Sequence, residues 1–136
     1  MRNTIKRTLG LTVLSVLIVS LLAITVFAGS PGKTFYFDFG FFNETQCNGP
    51  ANKTDAGSSS GNQADVYVTQ DTTILYSIRQ NSTSTTNLTN TVELASSSIQ
   101  QHAVLTYKQA PSNTSYYLFA ESPFGRHGEA TGTWYP

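Results

Sequence analysis

Cys47, His102 and His127 are the only cysteine and histidines in the chain, and with eight carboxylates they are its whole stock for nucleophilic, acid–base or metal chemistry. Nucleophilic catalysis needs a thiol or hydroxyl beside a histidine, with a third group to orient the ring. Neither histidine sits in such a motif, and the Gly-x-Ser-x-Gly elbow is absent; Cys47 with His127 is the one Cys/His pair that can be drawn. A metal site needs ligands at short spacing, and two separated histidines among scattered carboxylates do not supply it. Asp38, Asp65, Asp71 or Glu93 would allow a carboxylate pair of the glycosidase kind, as any protein with eight carboxylates does. The expectation is a protein that is not an enzyme, with no catalytic residues, no metal and no cofactor.

Binding is what the remaining chemistry serves. In "SPFGRHGE" a tip flanked by Pro and Gly carries Phe124, Arg126 and His127. A hairpin turn accounts for the Gly and Pro, yet the same short span presents an aromatic ring, a guanidinium and an imidazole, which can grip an anionic or sugar-like ligand. These three are the candidate ligand-binding residues. The outward tyrosines Tyr36 and Tyr117 are the next surface to consider.

Such a loop must be held by paired strands, and the apolar residues alternate at a period of two with almost no helical spacing. In "TFYFDFGFF" Phe35, Phe37, Phe39 and Phe41 fall on one side and Tyr36, Asp38 and Gly40 on the other, the pattern of a half-buried strand. The same parity runs through "ADVYVTQ" (Ala64, Val66, Val68), "TILYSIRQ" (Ile74, Tyr76, Ile78), "HAVLTYK" (Ala103, Leu105, Tyr107), "SYYLFAE" (Tyr116, Leu118, Ala120) and "EATGTWY" (Ala130, Gly132, Trp134). "TVELA" makes a seventh candidate, and "ASSSIQQ" has room for one helical turn. The intervening segments, "CNGPANKTDAGSSSGNQ" among them, are rich in Gly, Pro, Asn and Ser and read as turns and loops. An all-β fold follows, a small antiparallel β-sandwich of six to seven strands.

Ahead of the strands lies an uncharged run, Leu9 to Ala28, behind the basic residues Arg2, Lys6 and Arg7. Its length suits a membrane anchor, but Thr12, Ser15, Ser20 and Thr25 dilute it, and Val26-Phe27-Ala28 offers the small residues that signal peptidase needs. The reading is a signal peptide over 1–28 and one secreted domain over 29–136, with a retained anchor as the alternative; either exports the rest of the chain. Five basic residues then face eight acidic ones, a net charge of −3. That argues against nucleic acid as a partner and against a cationic membrane-lytic peptide, and the membrane is met only through the signal segment before cleavage. With one cysteine no internal disulfide exists, and Cys47 is either a sheltered apolar group or an exposed thiol able to link two chains into a dimer. Twenty-eight of the 108 residues after Ala28 are Ser or Thr. With eight Asn this generates five Asn-x-Ser/Thr sites, at Asn43, Asn52, Asn81, Asn87 and Asn113, a modest excess over the roughly two that chance would give.

The closing stretch "EATGTWYP", with Ala130, Gly132, Trp134 and Pro136, resembles the ending of small exported β-proteins of Gram-positive bacteria, lactococcin-type bacteriocins and their relatives. "NKTDAGSSS" is similar to a Lys-Ser-Asp-Ser rich segment found in many of them, although the acidic extension usual after the Pro is missing. The resemblance implies a β-sandwich without enzymatic activity, exported to act at cell envelopes, in the bacteriocin case by binding a cell-wall precursor. The expected function is thus a non-enzymatic secreted protein, soluble or loosely wall-associated, that binds a cell-surface or cell-wall component. A bacteriocin-like toxin is the alternative, and a small secreted hydrolase the outside one. N-terminal sequencing of exported protein should read Gly-Ser-Pro-Gly-Lys, from Gly29 onward; a membrane-bound chain with Met1 intact would make 9–28 an anchor instead.

Overall fold

The computed structural model describes residues 31–40, 44–54, 60–112, 114–123 and 127–136. The leader 1–28 lies outside them, as do Phe41, Phe124 and Arg126. Eight strands form: β1 (Lys33–Phe39), β2 (Glu44–Asn52), β3 (Gln63–Gln70), β4 (Ile74–Arg79), β5 (Val92–Leu94), β6 (Ser97–Thr106), β7 (Ser115–Ser122) and β8 (Gly128–Tyr135), with one 3₁₀ turn at Ser60–Asn62. They make two antiparallel four-stranded sheets, ordered β1-β8-β3-β6 and β2-β7-β4-β5. A strand with alternating apolar residues has one side that water must leave, and two such sheets satisfy each other face to face. Phe35, Phe37 and Phe39, Val66 and Val68, Leu105, Ala130 and Trp134 of the first sheet are buried with Ile74, Tyr76, Ile78, Tyr116, Leu118 and Ala120 of the second. Phe35 stacks on Phe37 at 5.0 Å and meets Tyr76 of the opposite sheet at 6.4 Å.

The eighth strand is β2, which the sequence places in a loop. It is an edge strand paired only with β7, and most of its residues are exposed or half-exposed, so no apolar alternation marks it. Its Gly49-Pro50 dipeptide reads as a turn, but an edge strand accommodates a proline, here within a register shift between Asn48 and Ala51. "ASSSIQQ" holds no helical turn either, because β6 already begins at Ser97.

Three polar side chains tie the sheets together where apolar packing ends. Trp134, fully buried on β8, donates its indole N–H to Asn48 Oδ1 of β2 at 3.1 Å. Gln70, at the end of β3, accepts the Tyr76 hydroxyl at 2.6 Å and donates to the carbonyls of Leu94 (2.6 Å) and Ala95 (3.2 Å), so both ends of its buried amide are engaged. Burial raises the Tyr76 phenol far above its ordinary range, which keeps that donor in place. Lys53, 1% exposed, donates to the carbonyls of Gln63 (2.9 Å) and Pro136 (2.8 Å), joining the exit of β2 to the start of β3 and the end of β8.

Gly132 faces inward on β8 between β1 and β3. A Cβ there would overlap the Tyr67 carbonyl oxygen and come within 2.9 Å of the Phe35 ring, so only glycine lets the three strands approach. Phe37→Ala should cost about 3–5 kcal/mol and Gly132→Ala about 1–3 kcal/mol in urea unfolding. A Gly132→Ala protein as stable as the parent would mean that β3 and β8 have slack at this point.

Candidate functional site

The outward residues of sheet β1-β8-β3-β6 build the site. Antiparallel register sets Asp38 across from Glu129, Tyr36 across from Thr131, and Thr131 across from Thr69. Just past β3, Asp71 continues the ladder: its backbone N–H donates to the Glu129 carbonyl at 3.2 Å, and its carboxylate accepts the Glu129 backbone N–H at 2.6 Å. Three carboxylates, Asp38, Asp71 and Glu129, and the Tyr36 phenol thereby meet at one end of the face, from segments more than thirty residues apart.

A break in strand pairing turns this end into a groove. Val68 pairs with Gln101 but Gln70 pairs with Ser97, so three residues of β6 stand opposite Thr69 alone. Such a bulge bends its strand and re-aims side chains. Ser97 pins it, accepting the Ile99 N–H at 3.1 Å and donating to the Ile99 carbonyl at 2.8 Å. The groove that results has a volume of about 730 Å³; Tyr36 and Ile99 are among its lining, with Thr69, Asp71, Glu129 and Thr131. Tyr36 is 59% exposed and Ile99 78%, the two most exposed large apolar side chains described in the molecule. The groove combines an aromatic ring and an aliphatic branch with hydroxyl and carboxylate groups, which suits a ligand with apolar faces and hydroxyl edges.

The Tyr36 phenol is raised above its ordinary value, first by its hydrogen bond to Glu129, then by slight burial and by the charges of Glu129, Asp38 and Asp71. Each of these favours the neutral phenol over the phenolate.

At the other end of the same face a second cluster forms. Tyr67 of β3 lies across from His102 of β6, and the two rings stack at 4.4 Å with planes 2° apart. His102 Nε2 is 2.7 Å from Asp65 Oδ1, and Tyr135 of β8 meets Tyr67 edge-on at 6.0 Å.

Of the residues singled out in the sequence, His127 is exposed and sits 3.6 Å from Asp38 Oδ1, close to the mouth of the groove through the Asp38–Glu129 pairing. Phe124 and Arg126 lie outside the described residues. Tyr117 is on the other sheet, half-buried and packed against Gly49. Cys47 is exposed on β2 across from Phe119, and among the described residues no hydrogen bond joins it to a histidine. Among the described residues no group of three or more His, Cys, Asp or Glu could hold a metal ion. Sequence reasoning missed the pairing of Asp65 with His102 and of Asp71 with Glu129. Their outward parity was legible, but their partners depend on a register between distant strands. Comparison of the chain with protein-family models, curated proteins and solved structures gives no match.

An ultraviolet titration that isolates Tyr36 by difference from Tyr36→Phe should place its ionisation above that of free tyrosine. Glu129→Gln should bring it down, because the charge that opposes the phenolate is gone. An unmoved midpoint would show that the two side chains are not in contact.

Proposed function

We propose that this is a non-enzymatic secreted protein that binds a cell-surface or cell-wall component, and that the groove beside Tyr36 is where it binds. The observation that carries this reading is the exposed pair Tyr36 and Ile99 in one groove with Asp71 and Glu129. Isolated exposed apolar residues are ordinary on a protein surface; two of them within a groove that also carries convergent polar groups mark a ligand site. Sugars of an envelope match that chemistry: the C–H face of a ring packs on the tyrosine while its hydroxyls donate to the carboxylates. The tip residues Phe124, Arg126 and His127 extend the same reading, since His127 stands beside Asp38 at the groove's mouth.

A small hydrolase is the second reading, favoured by one observation, the two carboxylates Asp71 and Glu129 in a single groove. The Asp71 carboxylate is already committed to the Glu129 backbone N–H, which makes it a scaffold for the turn rather than a free acid or base.

Purified cell-wall material should retain the protein and release no new reducing ends. Tyr36→Ala should weaken retention at least tenfold, about 1.4 kcal/mol, with the melting temperature nearly unchanged because the ring is exposed. Arg126→Ala with His127→Ala should weaken it as well. Full retention by both variants would remove this end of the molecule from consideration, and released sugar would turn the reading to the hydrolase.

A further inference from the structure

The groove is not closed at the end that points along the strands. From Glu129 and Asp71 the outer face runs past Thr131, flanked by Tyr36 and Thr69, to Thr133, which has Thr34 on one side and Tyr67 with His102 on the other, and then to Asp65 and Tyr135. Threonine side chains are short, so the path between the two clusters is low and lined with hydroxyls. Four residue steps along β8 separate Thr131, across from Tyr36, from Tyr135, about 13 Å at the rise of a strand. That is well beyond the width of one sugar ring.

The far cluster has the form of a shelf held rigid in advance. The Asp65 carboxylate fixes the imidazole of His102, the imidazole lies flat on Tyr67, and Tyr135 braces Tyr67 from the side. Rings already held in place lose little freedom when a ligand settles on them. Tyr135 still exposes 38% of its surface and Val104, across from Asp65, 37%, so the shelf has apolar area to offer.

Charge narrows the occupant. Asp38, Asp65, Asp71 and Glu129 all stand at outward positions of this face or beside it, while the one lysine on its strands, Lys33, donates to the Pro50 carbonyl in the other sheet. A polyanion laid along this face would meet like charge at both ends. Resting on the reading of the groove as a wall- or surface-binding site, we infer that the ligand is a linear glycan several rings long, uncharged or bearing amines, which enters the groove at Tyr36 and lies along β3 and β8 to a second subsite on Tyr67, His102 and Tyr135.

The test compares three probes by calorimetry: intact wall material, and glycan strands released from it and sized into a two-ring and a six-ring fraction. The six-ring fraction should bind at least tenfold more tightly than the two-ring fraction. A His102→Ala, Tyr135→Ala double variant should lose that gain while binding the two-ring fraction as the parent does. Because the double variant could disturb the sheet, ring-proton resonances of the parent provide a second readout: His102 and Tyr135 should shift with the long fraction and stay put with the short one. Equal affinity for both fractions, or long strands that leave the His102 and Tyr135 signals unmoved, would overturn the extended site and leave the groove standing. Intact wall bound through Tyr36 but neither fraction bound would overturn the linear glycan as ligand. Wall material that does not bind at all would remove the groove reading, and the extended site with it. Sulfated dextran should not displace the long fraction, and displacement would reverse the charge argument.

Discussion

The removal of one face of every long strand from water is the constraint on which this molecule rests. With a single cysteine in the chain there is no internal cross-link to restrain the unfolded state, so cohesion must come from area buried between the sheets. Phe35, Phe37 and Phe39 of β1 bury three successive rings in that layer, and Trp134 of the neighbouring strand β8 continues it. Close packing leaves polar groups few places to stand, which is why the buried amide of Gln70 donates to the adjacent carbonyls of Leu94 and Ala95, and the ammonium of Lys53 to carbonyls of two different segments. These side chains lock ends of strands that the apolar layer does not reach.

Burying the inner faces leaves the outer faces free to differ, and they do. On sheet β2-β7-β4-β5 the guanidinium of Arg79 lies 4.0 Å over the Phe119 ring and holds Asn87 and the Ser84 carbonyl, so the segment after β4 is fastened against the sheet. Thr89 reinforces this: its hydroxyl is buried and accepts the Ile78 N–H. On sheet β1-β8-β3-β6 the outward side chains remain accessible, and the bulge of β6 raises Ile99 above them. The groove is thus a product of the same register that builds the core, since the break falls where β3 ends on Gln70 and its ties to the opposite sheet.

That origin has a consequence for how the site holds its shape. Tyr36, Thr69, Glu129 and Thr131 are strand residues whose inward neighbours are packed, so the groove is positioned by the core rather than by a long loop. Only Asp71 and the bulged start of β6 at residues 97–99 depart from regular strand pairing, and both are pinned by hydrogen bonds to backbone groups. Binding surfaces built in this way pay little ordering cost when a ligand arrives.

The amino-acid sequence alone determined which way the residues of the alternating strands face. Every inward residue read from the alternation of β3, β4, β6 and β7 is buried, as are Ala130 and Trp134 of β8 and three phenylalanines of β1; the fourth, Phe41, lies outside the described residues. A period of two is a local property, set by the pleat, and survives without knowledge of any partner. β2 was not legible, because the half-buried side of this edge strand carries polar residues, Glu44, Gln46 and Asn48, where an apolar alternation would have marked it. Tertiary structure alone decided which outward residues stand together. Asp65 and His102 are 37 positions apart, and Asp71 and Glu129 are 58 apart; their meeting depends on strand order and on a register fixed by buried neighbours. The groove itself needed one thing more, the slip of β6 past Thr69, and pairing slips are decided by contacts across the sheet and not by the residues of either strand.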